Sequence, residues 1–471
     1  MKNRKDVYTR RAVLATLASG SLGLTAYALL SHTESTLALS ANSPHKQYYI
    51  KAGASPKNDG LSPNRPFPTI QQAADLTNPG DTVYIMNGTY GETSSEGAAV
   101  ITRSGAPNAY ITYRAFPGHH PKIHVSPAAW NSLLVESASY ITIAGLTIEG
   151  NSASYTYDEA LANQNTKNPK YNANGIGVRP TNATAPIPHH IRIIGNVVHH
   201  CPGGGIYTDR ADYITMKRNI AYSNAWYSVY ANSGISAFHF QNTDQKTGYK
   251  NFVLQNISFD NQSYIPWTVT HKISDGNGII IDDTKNKQIQ GVPYVGRTFV
   301  ANNLAFENGG SGIHAFSSEN VDIINNTVWN NARSPELTWA SLFASSSNNV
   351  NIFNNIAVIR PGKPTNDTSN NTNVIYDYNI YYHGNVPAQM GAHDLIADPL
   401  FIHPSSRLNE ADFSLRPQSP ARDSGTSHLA PNVDITGSRR PVGKGFDRGA
   451  YEGLCSVHGW DSIQQWREQA L

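Results

Sequence analysis

The 471-residue chain carries 36 basic and 34 acidic side chains, for a formal net charge of +2. Only 15% of its residues are charged, which excludes the clustered basic face of nucleic-acid-binding proteins. We therefore expect no nucleic-acid partner. Asn, Ser, Thr, Gly and Tyr are prominent instead, and these residues are typical of an all-β chain with tight turns.

The first 40 residues are typical of an export signal. Basic residues at positions 2, 4, 5, 10 and 11 precede an apolar stretch at 12–30, and small residues follow at 38–41. Residues 9–14, Thr-Arg-Arg-Ala-Val-Leu, resemble the twin-arginine pattern, with Val13 where Phe is usual. An ordinary secretory signal and an uncleaved anchor are the alternatives. We expect residues 1–40 to be removed, leaving a secreted or extracytoplasmic monomer without membrane contact.

Residues 41–95 are predicted to form an N-terminal cap. A helix over residues 69–76 would lie on the first coil and protect its open strand edges, as a solenoid requires.

Residues 96–393 contain a repeated strand-Asn-strand pattern, with insertions that would build a groove. The Asn residues stand at positions 196, 219, 256, 303, 326, 355 and 379, and the shortest spacing is 23 residues. Such a period is the mark of a β-solenoid. Asn tolerates the left-handed backbone between two strands and stacks its amide on the Asn of the next coil. The pattern predicts an all-β, right-handed parallel β-helix in which these Asn residues are structural.

A second strand in each coil begins with Gly-Ile, at residues 175, 205, 234, 278 and 312. Side chains alternate between the two faces of a strand, so the fourth residue after each Gly points outward. One outward column is thus predicted to contain Arg179, Asp209, Phe238, Asp282 and Phe316.

Residues 394–471 are predicted to form an irregular C-terminal cap with a short terminal helix. This part of the chain carries Asp-Pro-Leu-Phe at 398–401, Ser-Pro-Ala-Arg-Asp-Ser-Gly at 419–425 and Gly-Ala-Tyr-Glu at 449–452. The N-terminal part carries Tyr-Tyr-Ile at 48–50, Pro-Phe-Pro-Thr-Ile-Gln at 66–71, Pro-Gly-Asp-Thr-Val-Tyr at 79–84 and Gly-Thr-Tyr at 88–90.

The N-terminal motifs resemble the start of right-handed β-helix proteins of the pectate-lyase-like superfamily, including family 9 pectate lyases. The C-terminal motifs look like the ending found in the same group. The resemblance implies the β-helix fold and an extracellular polysaccharide as the partner. It does not select a reaction, because the superfamily includes lyases, glycoside hydrolases, epimerases and binding proteins.

The densest polar segment is 271–285, which has three carboxylates and two lysines. Asp275 precedes a strand, Asp282 belongs to the outward column, and Asp283 begins the next turn. Carboxylates gathered in this way suit the binding of a hard cation or acid-base catalysis. We therefore predict the functional site here.

The first hypothesis is a calcium-assisted lyase that cleaves a uronate-containing polysaccharide by β-elimination. Ca²⁺ bound by Asp275, Asp282 and Asp283 would acidify the C5 proton, and Lys272 or an arginine would remove it. Family 9 pectate lyases work in this general way, with an aspartate-rich calcium site and a lysine base. Their Asp-Asp-x-x-Asp run does not align here, so these roles come from chemistry alone.

The second hypothesis is an inverting glycoside hydrolase. Asp209 and Asp282 are two coils apart in the outward column, and thus about 10 Å apart. This distance is near the upper end for an inverting pair and too wide for a retaining pair. Asp283 is a further candidate catalytic carboxylate. A third hypothesis is a non-catalytic carbohydrate-binding surface protein whose acidic cluster holds a structural ion.

Aromatic rings stack on sugars, and arginines pair with acidic groups of a polysaccharide. The predicted substrate-binding residues are Arg179, Tyr207, Arg210, Phe238, His239, Trp267 and His314. Aromatic residues in the insertions are also candidates for stacking, and about half of them are expected only to pack the loops: Tyr155, Tyr157, Tyr171, Trp226, Tyr227, Tyr230, Tyr264 and Trp267.

Overall fold

The computed structural model describes residues 45–453 and 460–468. The predicted export signal lies outside these residues. Within them, no helix has both the length and the apolar character needed to span a membrane.

Three long parallel sheets form the faces of a β-helix. Sheet A has eleven strands, and these are β1 Gln47–Ile50, β2 Thr82–Ile85, β5 Ile111–Ala115, β8 Ile141–Ala144, β11 His189–Ile194, β14 Asp212–Lys217, β17 Tyr249–Leu254, β20 Arg297–Ala301, β23 Glu319–Ile324, β26 Asn348–Phe353 and β28 Thr372–Asp377. Sheet B has eight strands, and these are β4 Ala99–Ile101, β7 Asn131–Glu136, β10 Asn174–Arg179, β13 Ile206–Asp209, β16 Ile235–Phe238, β19 Ile279–Asp282, β22 Ile313–Phe316 and β25 Leu342–Ser345.

Sheet C has eleven short strands, and these are β3 Thr89–Tyr90, β6 Lys122–Ile123, β9 Thr147–Glu149, β12 Val197–His199, β15 Ile220–Tyr222, β18 Ile257–Phe259, β21 Leu304–Phe306, β24 Thr327–Trp329, β27 Ile356–Val358, β29 Ile380–Tyr382 and β30 Leu395–Ile396. Each strand pairs in parallel with its equivalent in the next coil. The apolar residues that alternate inward from all three sheets stack into one continuous core. The right-handed parallel β-helix predicted from the sequence is confirmed.

The predicted Asn ladder lies at the corner between sheets A and C. Its members from Asn196 to Asn379 are fully buried, and each donates from Nδ2 to Oδ1 of the Asn one coil later, as Asn219 does to Asn256 at 3.0 Å. The last Asn donates to Asp394. The amides thereby satisfy one another where the backbone leaves the regular strands.

A second ladder follows sheet C and was not predicted. It contains Asn224, Asn261, Asn308 and Asn331, which are also buried and linked amide to amide. Each member stands five residues after a member of the first ladder, because the three residues of a sheet C strand separate the two corners.

Helix α1, Ile70–Ala74, lies at the N-terminal end of the β-helix and buries Ile70, Ala73 and Ala74 in the core. Thr69 caps it by accepting a hydrogen bond from the amide of Gln72. A helix therefore forms within the predicted range 69–76, and β1 and β2 on either side of it belong to sheet A.

The C-terminal segment contacts the last coil and then runs back along the outside of the β-helix. It contains an antiparallel hairpin, β31 Phe401–His403 and β32 Asp412–Leu415. Its apolar side chains pack against the outer face of sheet C in a second core. Near its end, helix α4, Trp460–Glu468, accepts a hydrogen bond from Arg218 at the carbonyl of Trp466.

The insertions project beside sheet B. Helices α2, Tyr157–Ala162, and α3, Pro169–Asn172, belong to one of them. The loops before β16, β19 and β25 and the loop after β19 stand above the sheet and form the walls of a cavity.

Candidate functional site

A cavity of about 320 Å³ lies over the outer face of sheet B. Its floor consists of outward residues of β16, β19, β22 and β25, and its walls come from the loops between coils. The lining residues are Tyr230, Ala231, Asn232, Ser236, Phe238, His239, Trp267, Ser274, Asp275, Ile280, Asp282, Gln288, His314, Phe316, Trp339, Phe343, Ser345 and Asp367. The volume is at the small end for ligand pockets and suits one or two sugar rings.

The outward column predicted from the Gly-Ile strands is confirmed by the strand register. Asp209 pairs with Phe238, Phe238 with Asp282, and Asp282 with Phe316. A parallel column two residues earlier contains Tyr207, Ser236, Ile280, His314 and Phe343. The cavity covers these two columns from Ser236 and Phe238 of β16 to Phe343 and Ser345 of β25, and the residues of the earlier coils lie outside it.

Asp282 lies between Phe238 and Phe316 on the floor of the cavity. Its Oδ1 is buried and has no hydrogen-bond partner. Burial, together with the neighbouring carboxylates of Asp275 and Asp283, raises the pKa of Asp282 well above its usual range, because a charged carboxylate is costly in a low-dielectric site next to like charges. Asp282 is therefore easier to protonate than an ordinary carboxyl.

Asp275 stands in the wall, on the loop before β19. Ser274 Oγ and Asn277 Nδ2 donate to its two oxygens at 2.9 and 2.8 Å. Gly276 makes the turn between them at φ +70°, where a side chain would collide with the backbone of Ser263. Burial raises the pKa of Asp275 to about 6.

Asp283 is fully buried behind the floor. It accepts hydrogen bonds from the amides of Lys287 and Gln288 and from Ser317 Oγ. Its Oδ2 also lies 3.5 Å from Nε2 of His239. These contacts hold Asp283 in place as a fixed acidic neighbour of Asp282.

His239 connects the cavity with Asp209. Its Nδ1 donates to Oδ1 of Asp209 at 3.1 Å, and the other Asp209 oxygen accepts two hydrogen bonds from Arg210. The imidazole, which lines the cavity, is therefore oriented by Asp209, while its Nε2 near Asp283 is buried without a hydrogen-bond partner.

The three aspartates predicted to bind calcium do not offer a calcium ligand set. Among the described residues, no group of three or more His, Cys, Asp or Glu side chains is arranged to hold a metal ion. The oxygens of Asp275 and Asp283 accept hydrogen bonds from protein donors, whereas Asp282 Oδ1 accepts none. Ca²⁺ takes six to eight oxygen ligands, so the three aspartates would have to come closer together and gain further ligands to hold it.

The family model for the Pel9A-like, right-handed β-helix region matches residues 48–349, which is well over half of the chain. This chain belongs to the Pel9A-like β-helix family. The match includes every strand of sheet B, and thus the floor of the cavity.

The chain is similar to several solved structures, of which Pel9A shows the same fold. Pectate lyase Pel9A matches with a TM-score of 0.53 and 17% identity, over 87% of this chain and 97% of that chain. GH136 lacto-N-biosidase from Eubacterium ramulus matches with a TM-score of 0.45 and 16% identity, over 72% of this chain and 56% of that chain. A rhamnogalacturonan lyase matches with a TM-score of 0.39 and 14% identity, over 78% of this chain and 93% of that chain. None of the curated proteins compared with this chain matches it.

Several residues predicted for substrate binding do line the cavity of this Pel9A-like chain: Phe238, His239, Trp267 and His314. Arg179, Tyr207 and Arg210 lie outside it. Arg179 pairs with Glu96 and Glu136, and the hydroxyl of Tyr207 donates to Asn131.

Lys272, the predicted lyase base, is exposed on the loop before β19 and does not line the cavity. Its carbonyl accepts a hydrogen bond from the amide of Trp267. The structure therefore gives Lys272 a place in the loop turn rather than beside the carboxylates.

Part of the cavity lining was not predicted. Asn232, Trp339, Phe343 and Asp367 belong to it, and Phe343 was missed because its strand begins with Ser-Leu rather than Gly-Ile. Among the loop aromatics, Tyr230 and Trp267 reach the cavity. Others pack into a small core of the insertions, and these are Tyr155, Tyr171 and Tyr227 with Trp226 against them.

Proposed function

We propose that this chain is a glycoside hydrolase in which Asp282 is the general acid. The observation that carries the proposal is the Asp282 carboxyl, which lines the cavity, has a free Oδ1 and has a pKa well above its usual range. A carboxyl that keeps its proton at neutral pH can donate it to the oxygen of a glycosidic bond.

Asp275 supplies the second carboxylate. Burial raises the pKa of Asp275 to about 6, and the proposal requires Asp282 to keep its proton at a pH where Asp275 is ionised. Glycoside hydrolysis uses two carboxyl groups whose environments separate their pKa values in this way. Asp209, which the sequence pairs with Asp282, is engaged by Arg210 and His239 outside the cavity, so Asp275 takes its place in the proposal.

In the reaction, the bond between the anomeric carbon and the glycosidic oxygen breaks, and the Asp282 proton goes to the departing oxygen. Asp275 either attacks the anomeric carbon or takes a proton from the attacking water, and the anomeric configuration of the product distinguishes these routes. Phe238, Trp267 and Trp339 provide aromatic surface for the sugar rings.

A second candidate is the calcium-assisted lyase. Membership of the Pel9A-like family supports it, since the similar Pel9A structure is that of a pectate lyase. In that case the carboxylates of Asp275, Asp282 and Asp283 would have to move together around the cation. The cost of that rearrangement is the reason to place this candidate second.

The test is a screen of the purified chain against neutral glucans, xylans and galactans and against pectate, alginate and glycosaminoglycans. Each reaction is run with calcium and with chelator, and both reducing ends and the ultraviolet absorbance of unsaturated uronides are recorded. Hydrolysis predicts reducing ends without absorbance, insensitive to chelator. Absorbance that disappears with chelator would overturn the proposal in favour of the lyase.

Asp282→Asn should lower the hydrolytic rate by about 10²–10⁴-fold, the range for loss of a general acid. Asp158→Asn is the matched control, because Asp158 is an exposed aspartate of an insertion helix and its loss should leave the rate unchanged. Full activity of Asp282→Asn would contradict the assignment.

We also propose that the enzyme acts outside the cytoplasm on a polysaccharide, on the strength of the signal-like residues 1–40. N-terminal sequencing of protein recovered outside the cytoplasm should begin near Ala41. An intact Met1 on that protein would contradict cleavage.

A further inference from the structure

His314 lies on the floor of the cavity, in the coil after Asp282. It is 3% exposed, and its ring stacks on Phe343 with centroids 4.6 Å apart and an angle of 10° between the planes. Its Nδ1 is buried without a hydrogen-bond partner. A buried polar atom without a partner is costly, so this atom points to a group that a ligand supplies.

The imidazole of His314 is neutral, since burial lowers its pKa to about 3. A neutral imidazole has one donor and one acceptor nitrogen. A sugar hydroxyl also donates and accepts, which matches this pattern. The stacking on Phe343 fixes the plane in which the nitrogens of His314 can make such hydrogen bonds.

The lining of the cavity contains no lysine or arginine among the residues that the structure describes. Its titratable residues are Tyr230, His239, Asp275, Asp282, His314 and Asp367. A carboxylate on the substrate would enter an apolar space next to acidic groups without a cation to pair with, and such burial is strongly unfavourable. A neutral sugar meets no such cost.

We propose that the cavity binds an uncharged sugar residue, because its lining offers no lysine or arginine to a carboxylate, and that His314 hydrogen-bonds one of the sugar's hydroxyl groups. The inference rests on the proposed hydrolase and names its substrate class. It assigns to His314 a role in binding, separate from the proton transfers of Asp282 and Asp275.

The test uses pairs of oligosaccharides of equal length that differ at C6, where one member has a hydroxymethyl group and the other a carboxylate. The pairs are gluco- and glucurono-, galacto- and galacturono-, and manno- and mannurono-oligosaccharides. Binding is measured by isothermal titration calorimetry at neutral pH on Asp282→Asn, which removes turnover. The uncharged member of at least one pair should bind at least about tenfold more tightly than its uronate.

In the same background, His314→Phe should weaken binding of that sugar by about tenfold or more, because the ring remains on Phe343 but its hydrogen bonds are lost. His314→Gln, which keeps a donor and an acceptor, should recover part of the affinity. His428→Phe is the control, because His428 is exposed on the C-terminal segment. Near-ultraviolet circular dichroism checks that each variant is folded.

Equal or tighter binding of the uronates, unchanged binding by His314→Phe, or binding of no uncharged member would overturn the inference. Failure of the hydrolase proposal is distinguishable from these results. If an uncharged sugar binds through His314 but the parent chain releases no reducing ends from it, the binding role stands and the catalytic role falls. If uronates are bound and hydrolysed, the hydrolase proposal stands and the inference of an uncharged sugar falls.

Discussion

The pKa of Asp282 is raised because strand alternation and strand register place its side chain in a buried position on the outer face of sheet B. Its neighbours in the column are Phe238 and Phe316, so the carboxyl has aromatic rather than polar neighbours on both sides. Asp275 and Asp283 add negative charge from the wall and from behind the floor. Two of these contributions come from loops, which is why the column alone does not predict the pKa.

Replacing Asp283 tests the electrostatic part of this environment. Asp283→Asn removes a negative charge that raises the pKa of Asp282, so that pKa should fall. The alkaline limb of the kcat profile should then move to lower pH by about one pH unit. The measurement is kcat against pH on whichever substrate the screen identifies.

Ser317→Ala is the matched control for that variant. It removes the hydrogen bond from Ser317 Oγ to Asp283 but keeps the charge, so the alkaline limb should stay in place. A limb that moves equally in both variants, or that moves to higher pH in Asp283→Asn, would contradict the electrostatic explanation.

At the scale of the elements, the Asn ladders link successive coils at both ends of four sheet C strands, β15, β18, β21 and β24. Asn256 accepts from the amide and Nδ2 of Asn219 and donates to Met216 and Asn303. All of these groups are buried away from water. The ladder therefore supports the sheets that carry the cavity without contributing a residue to its lining.

Asn256→Ala should lower the free energy of unfolding by about 3–5 kcal/mol, because several buried donors and acceptors lose their partners at once. Urea and thermal unfolding measure the change. Asn409→Ala, at an exposed turn, should change the free energy by less than about 0.5 kcal/mol. Equal effects of the two variants would show that the ladder is not a stabilising element.

The elements also show how far the sequence predicts the fold. β-branched strands, ladder asparagines and Gly-Ile starts report local backbone preferences, and they correctly predict the coils and the column through Asp282. The second ladder was also present in the sequence, as an Asn five residues after each of four ladder members. It was not predicted because Asn is also common in turns, so an Asn after a strand does not by itself indicate a ladder.

Across the whole molecule, the site depends on loops from coils that are distant in sequence. Asn232, Trp339 and Asp367 meet around Asp282 only when the insertions fold over sheet B. No local pattern fixes how a long insertion packs. The same reason explains why several predicted stacking aromatics, such as Tyr155 and Tyr171, instead form a core inside the insertions.

Because the proposed reaction needs one ionised and one protonated carboxyl group, the enzyme should show a bell-shaped profile of kcat against pH. Asp275 must lose its proton, and since its pKa is raised to about 6, kcat should rise as the pH increases through about 6. Asp282 must keep its proton, so kcat should fall only at a pH well above the usual carboxyl range. A kcat that is highest well below pH 6 would contradict these roles.

The protonation state of Asp282 is the most direct test of the central claim. Carbon-13 NMR of the chain labelled at the aspartate carboxyl carbons, compared with Asp282→Asn, isolates the Asp282 resonance, which is followed through a pH titration. The proposal predicts a carboxyl that is still protonated at neutral pH, poised to donate to a glycosidic oxygen. A carboxyl already ionised at neutral pH would contradict the general-acid role and favour cation binding by the acidic cluster.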